Sequence, residues 1–429
     1  MVRICRGGTT GLGITNPFGS AGVVAALLVA ALPVISGADV IEVSTAAELQ
    51  ELFSRPLYDV EVRLLPGAYH LTPKSAIDST CGNCEDADTP VPITFGVRIT
   101  GEKVRIHGPE GEPAVIYTHA GYGLFFDRCS ECRIEGVSIT GGVRDPDGNA
   151  TDAAIVVKKS LVDVVANRIF DNVGDSTTVN STVVGIMGIC GREGSEILIE
   201  GNEIIRNSWD GIALYRDASA KILGNVIDGV DKARGKEIGG GRGVAIGVTW
   251  NATADIRGNV VKRYWKGIGI FVDAWGSVRN NVIEDIITWG IAFWDAGKGK
   301  PVGIFEDNVI YYTGACGASI TCSSTADARM GSRFTRNIIV KTAQNPKYDD
   351  PDYYCYQTSL ARHEVPEGFD ITGNLFFDNR RASDDLPDYD MNREAFLNSV
   401  GSACEWLSKA AIFSTTDFVA TFCSDKNSP

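Results

Sequence analysis

Gly201-Asn202-Glu203-Ile204, Gly224-Asn225-Val226-Ile227 and Gly258-Asn259-Val260-Val261 repeat one quartet: a Gly, an Asn, a variable residue and an aliphatic one. The pattern extends in both directions. Ala166-Asn167-Arg168-Ile169 precedes it, and Asn280-Asn281-Val282-Ile283, Asp307-Asn308-Val309-Ile310, Arg336-Asn337-Ile338-Ile339 and Gly373-Asn374-Leu375-Phe376 follow. Successive Asn residues lie 35, 23, 34, 22, 27, 29 and 37 positions apart. A floor near 22 with longer steps interspersed describes a coil of constant size carrying loop insertions, whereas a helical repeat would hold its length. The longest clean insertion runs from Gly229 to Gly241.

Several coils carry a second apolar segment: Gly211 to Tyr215, Gly243 to Gly247, Gly267 to Phe271 and Gly290 to Trp294. Within them Ile212/Leu214, Val244/Ile246, Ile268/Ile270 and Ile291/Phe293 alternate with Gly and Ala, the period of a strand with one buried face. Two or three short strands per coil cannot bury an apolar face alone, but stacked coils bury it continuously. At an inward corner each Asn can then bond to its equivalent one coil away, and Asn tolerates the left-handed conformation a sharp corner needs. Asn167, Asn202, Asn225, Asn259, Asn281, Asn308, Asn337 and Asn374 are therefore expected to form a structural ladder.

These repeats, over about residues 90 to 380, resemble the pectin-lyase-like right-handed parallel β-helix superfamily. The opening is similar too. Val40 to Val43, Ala46 to Gln50 and Val62 to Tyr69 look like that family's entry strand, capping helix and first coil, and Gly108 and Gly136 continue the register in place of Asn. The resemblance implies an all-β, right-handed single-stranded parallel β-helix solenoid with an N-terminal capping helix. Residues 39–380 would form the solenoid and 381–429 a partly helical C-terminal cap, which would protect strand edges at an open end.

Composition limits the setting. Arg3 and Arg6 precede an uncharged apolar run from Ala21 to Ile35 and a small-residue site at Ser36-Gly37-Ala38, so residues 1–38 read as a cleaved export signal, leaving no membrane span. The protein would then be secreted, extracellular or periplasmic. Ten of the eleven cysteines lie beyond residue 38, and in an exported chain they read as cystines, with a zinc site at Cys81/Cys84 and Cys129/Cys132 as the rival. The net charge of −14 argues against a nucleic-acid partner.

The family resemblance implies polysaccharide lyases, hydrolases, esterases or epimerases, yet the polygalacturonase, pectin methylesterase and alginate epimerase signatures are all missing. His70, His107, His119 and His363 lie outside the central coils. What remains is a flank suited to sugar. Aligning the second strands stacks Tyr215, Gly247, Phe271 and Trp294, with Trp209, Trp265 and Trp289 just before them. Aromatic faces pack on sugar C–H faces. Residues 210–300 hold 13 basic and 10 acidic residues within an acidic chain, so the expected partner is an anionic polysaccharide, met by Arg216, Lys236, Arg242 and Lys266. Uronate β-elimination needs a base and a neutralised carboxylate, often through Ca²⁺, which is the candidate cofactor. Asp217, Asp273 and Asp295 are expected to form a column of acids, with Lys236 reaching over it and Arg216 beside it as a further catalytic candidate. The same acids would serve a glycoside hydrolase. A non-catalytic glycan-binding or adhesive solenoid is the third reading.

Overall fold

The computed structural model describes residues 39–182, 184–321, 331–348, 357–363 and 369–424; the segment read as an export signal lies outside them. Each coil contributes strands to three parallel stacks. The first face runs from Tyr122–Ser130 through Met187–Arg192, Ile212–Leu214, Val244–Val248, Lys266–Phe271 and Trp289–Trp294 to Thr358–His363. The second includes Glu196–Glu200, Ser219–Leu223 and Thr253–Arg257, and the third Glu203–Ile205, Val226–Asp228 and Val260–Lys262. Among the described residues one antiparallel pair, Lys74–Asp78 with the start of Val91–His107, departs from this pattern.

The Asn ladder turns the corner between the second and third faces. From Asn167 to Asn337, each backbone N–H and each Nδ2 donates to Oδ1 of the next Asn, all at 2.9–3.1 Å. The left-handed conformation belongs elsewhere than expected. It is the residue before each Asn that takes positive φ: Ala166, Gly201, Gly224, Gly258, Asn280, Asp307, Arg336 and Gly373. Half of these are Gly, which adopts that region without a Cβ clash, and this explains the recurring Gly-Asn pair.

Inside, Ile212, Ile246, Ile268 and Ile291 form one column, and Leu214, Val248, Ile270 and Phe293 the next, all fully buried. Burying each such side chain contributes about 1.5–3 kcal/mol. The register corrects the sequence alignment in one coil. Ile246 and Val248 point inward in place of Val244 and Ile246, so Val244 pairs with Lys266, and Thr249 replaces Gly247 in the column between Tyr215 and Phe271. The strand after the Gly229–Gly241 insertion enters two residues later than a count from its Gly suggests.

The N-terminal helix Ala46–Leu52 is started by a Thr45/Glu48 capping box and buries Leu49 in the core. The C-terminal helices Arg393–Ser399, Gly401–Leu407 and Asp417–Phe422 pack along the outer side of the third face, where Phe396 and Phe418 meet Val282, Tyr311 and Val340. Disulfides join Cys81 to Cys84, Cys129 to Cys132 and Cys404 to Cys423, so both Cys-x-x-Cys pairs are cystines rather than zinc thiolates. Cys190, expected in a cystine, is instead a buried thiol whose pKa is pushed up to about 12 by desolvation.

Candidate functional site

On the outside of the first face, three successive coils floor a pocket of about 950 Å³. Its base is small because Gly243 and Gly247 carry no side chain, and its walls are aromatic, with Trp209, Trp250 and Trp265 around Tyr215 and Phe271. The geometry at Gly243 is exacting: a Cβ there would lie 2.1 Å from Oδ1 of Asp210. That missing methyl lets the Asp210 carboxyl lie over the floor.

Asp210, Val244 and Lys266 are register neighbours on consecutive coils. Asp210 Oδ1 accepts from Val244 N at 2.6 Å, and burial pushes its carboxyl pKa up to about 7. Burial also holds the Lys266 ammonium below the ordinary lysine value, with Asp210 pulling the other way. Its Nζ sits 5.5 Å from the Trp289 ring and 5.7 Å from that of Trp294, a cation–π setting that replaces water with indole. Arg242 Nε donates to Ser208 O at 3.0 Å and Nη1 to Gly235 O at 2.9 Å. Desolvation lowers its pKa to about 10, so it stays cationic at neutral pH. The lining carries four basic residues, Arg234, Lys236, Arg242 and Lys266, against two acids, Asp210 and Glu237. With four basic residues against two acids, the pocket is positive inside an acidic protein.

Residues 96–302 match the family model described as right handed beta helix region. The fold is a right-handed β-helix. No curated protein matches it. Solved structures with a similar backbone path include an alginate lyase from Paenibacillus sp. str. FPU-7, at 15% identity over 80% of this chain and 97% of that one, with a TM-score of 0.44. An exopolygalacturonase from Thermotoga maritima aligns at 10% identity over 80% and 83%, with a TM-score of 0.39. The A-module of a mannuronan C-5 epimerase from Azotobacter vinelandii aligns at 10% over 80% and 92%, with a TM-score of 0.30.

The β-helix brings together seven of the residues singled out from sequence: Trp209, Tyr215, Lys236, Arg242, Trp265, Lys266 and Phe271 all line the pocket. Trp289 and Trp294 stand just behind Lys266, edge-to-face at 5.0 Å. The expected acid column is not at the pocket. Asp217 and Asp273 are two coils apart and both engage Asn251, through Asp217 Oδ1 with Nδ2 and Asp273 Oδ1 with the backbone N–H. Asp295 is buried in a turn, its Oδ1 accepting from Gly297 N at 2.9 Å. Arg216 points away, donating to Gly82 O at 3.2 Å and lying over Trp250. These four are occupied by turn and loop geometry. The Ca²⁺ expectation finds no cage either: among the described residues no three His, Cys, Asp or Glu side chains converge to hold a metal.

Asp210, Trp250, Asn83 and Arg234 escaped the sequence reading. Asp210 had a signal in the paired triplets Trp209-Asp210-Gly211 and Trp265-Lys266-Gly267, which put opposite charges at one strand position. Trp250 becomes a wall only in the corrected register, and Asn83 arrives from a segment 167 positions from the Trp250 it bonds.

Proposed function

We propose that the pocket binds an anionic saccharide of the uronate class and cleaves it by β-elimination. One observation carries the reading: an amine and a carboxyl, each desolvated so that its charged form is disfavoured, flank one glycine floor inside a positive, aromatic-walled pocket. A lysine depressed by burial is a competent base, and an aspartic acid raised to about 7 is a competent acid. Lys266 Nζ takes the proton from C5 of the uronate. Those electrons form the C4–C5 double bond as the C4–O4 bond breaks, and Asp210 gives its proton to the departing O4. Arg242 and Lys236 supply the positive charge that offsets the substrate carboxylate. Tryptophan walls hold the ring faces. A hydrolase would need a second carboxylate, and Glu237 is tied to Lys347 at 3.0 Å and to the Arg234 N–H.

Incubation with a panel of polyuronates, followed by the ultraviolet absorbance of the unsaturated product, tests this. Signal is expected from the wild type and should vanish in Lys266→Ala and Asp210→Asn. No absorbance and no chain shortening across the panel would remove the elimination reading. Binding lost in Trp265→Ala without any turnover would leave a glycan-binding protein.

A further inference from the structure

We infer that the pocket receives the end of a glycan chain, or a short oligosaccharide, and not the interior of a polymer. This rests on the saccharide reading of the same site. A polymer lying through a cleft needs two exits, and among the described residues the pocket is flanked along the solenoid axis by packed coils and across it by two loops.

Along the solenoid axis, the N-terminal side is filled. The Tyr215 hydroxyl reaches Met187 Sδ at 3.9 Å, and Met187 and Cys190 are buried beneath Cys81, Val91 and Ala150. At the end of the same strand, Arg192 is fully buried and bonded to Tyr122, Thr151 and Thr80, so that side is a locked core and not a covered channel. On the C-terminal side Lys266 and Phe271 line the pocket, and Trp289 and Trp294 back them. Trp294 Nε1 donates to Ser319 Oγ at 3.0 Å, and Trp289 packs on the cluster around Ile287 and Tyr348.

Across the strands, one flank is the Gly229–Gly241 insertion. It is pinned by Arg206 to Asp231 at 2.7 Å, by Asp231 to Gly240 N at 2.9 Å, and by Glu237 to Lys347. The other flank is built from the Cys81–Cys84 loop, where Asn83 Oδ1 accepts from Trp250 Nε1 at 3.1 Å and Glu85 pairs with Lys298. Arg216 lies over Trp250 at 4.7 Å and bonds Gly82, so loop and tryptophan are held as one wall. Among the described residues, the opening that remains is the mouth above the floor. The volume, about 950 Å³, matches the roughly 300–1,000 Å³ of sites that enclose a single small ligand. A chain terminus can enter such a pit end-on; a mid-chain unit would have to drive its two neighbours into the walls.

The test compares di-, tetra- and hexasaccharide uronates with the full polymer. Turnover per mole of chain ends should be equal for tetrasaccharide and polymer, the product should be the shortest fragment from the start, and solution viscosity should fall only late. Early viscosity loss with a ladder of long products would overturn the inference while leaving elimination standing. Where the panel shows binding without turnover, calorimetry of the same series decides: affinity that stops rising at the tetrasaccharide supports a terminal pit, and affinity that keeps rising to the polymer overturns it. Absence of both binding and turnover would overturn the inference together with the saccharide reading. A Trp250→Ala/Asn83→Ala variant, checked for a native circular-dichroism spectrum and melting transition, removes one wall. It should shift products toward longer fragments or extend the affinity plateau past the tetrasaccharide. An unchanged length profile in that variant would overturn the assignment of that wall.

Discussion

Replacing Asn259 by alanine tests the ladder where it is deepest. Asn259 Oδ1 accepts from the N–H and the Nδ2 of Asn225, both at 2.9 Å, and its own Nδ2 donates to Ile222 O, Arg257 O and Asn281 Oδ1 at 2.9, 3.1 and 2.9 Å. Alanine removes all five bonds from a fully buried position. The losses are unequal. Asn225 Nδ2 keeps the carbonyls of Ile199 and Leu223, and Asn281 Oδ1 keeps the backbone N–H of residue 259. The N–H of Asn225 keeps nothing, at a cost of about 1–3 kcal/mol, and the remaining bonds add roughly 0.5–1.5 kcal/mol each where no partner replaces them. About 4 kcal/mol is expected in all. Asn374→Ala, at the half-buried C-terminal end of the ladder, lets water reach the freed groups and should cost about 1 kcal/mol. Denaturant midpoints give the global figure. Because a stacked repeat can lose all-or-none behaviour, hydrogen exchange of the Asn225 amide gives the local one. An Asn259→Ala protein within about 1 kcal/mol of wild type, with Asn225 exchange unchanged, would refute the claim that the ladder stabilises this corner.

Three further perturbations probe the pocket. Asp210→Asn should gain on the wild type as pH rises: a buried acid raised to about 7 loses stability between the ordinary carboxylate range and that pH, whereas asparagine does not titrate. The difference should grow between about pH 4 and pH 7 to at most about 4 kcal/mol and then level off, and a pH-independent difference in melting temperature would defeat the assignment. Gly243→Ala drives a methyl to 2.1 Å from Asp210 Oδ1 and should cost about 1–3 kcal/mol and abolish saccharide binding, while Gly148→Ala, where a Cβ meets nothing within 4 Å, should melt and bind as wild type. Arg216→Ala removes the bond to Gly82 and the stacking on Trp250, so limited proteolysis should cut near Cys84 faster than in wild type; equal rates would mean the loop is held by other contacts.

The solenoid was readable because its information is short-range and repeated. Each quartet around an Asn states the same corner, so an error in one coil is corrected by its neighbours, and the column from Asn167 to Asn374 follows from spacing alone. The aromatic and basic composition of the flank was readable for a similar reason: Trp209, Trp265 and Trp289 each precede an alternating strand. Which acid belongs to the site was not. Asp217 and Asp273 share a column in sequence, but the residue between them is Asn251, and hydrogen bonding to it leaves both at a turn. The misplacement began in the coil that carries the Gly229–Gly241 insertion, where counting from Gly243 puts Val244 inward and hides that it sits between Asp210 and Lys266.

The division is physical. A coil must keep its length, its inward aliphatic residues and its corner Asn to stack at about 4.8 Å, so those positions carry the fold and little else. Insertions are free of that constraint, and they are what shape the pocket. The Cys81–Cys84 loop, the Gly229–Gly241 segment and the turn at Trp250 all lie outside the constant coil, and their mutual contacts span separations such as 134 residues for Arg216 with Gly82 and 167 for Trp250 with Asn83. A repeat thus brings distant loops to one place without recording in any of them that they will meet. Chemistry on such a scaffold can change by exchanging loops over an unchanged floor. The positions to compare among β-helices of this kind are therefore Asp210, Lys266 and the glycine between their coils, which the floor must keep if the proposed elimination is to be kept.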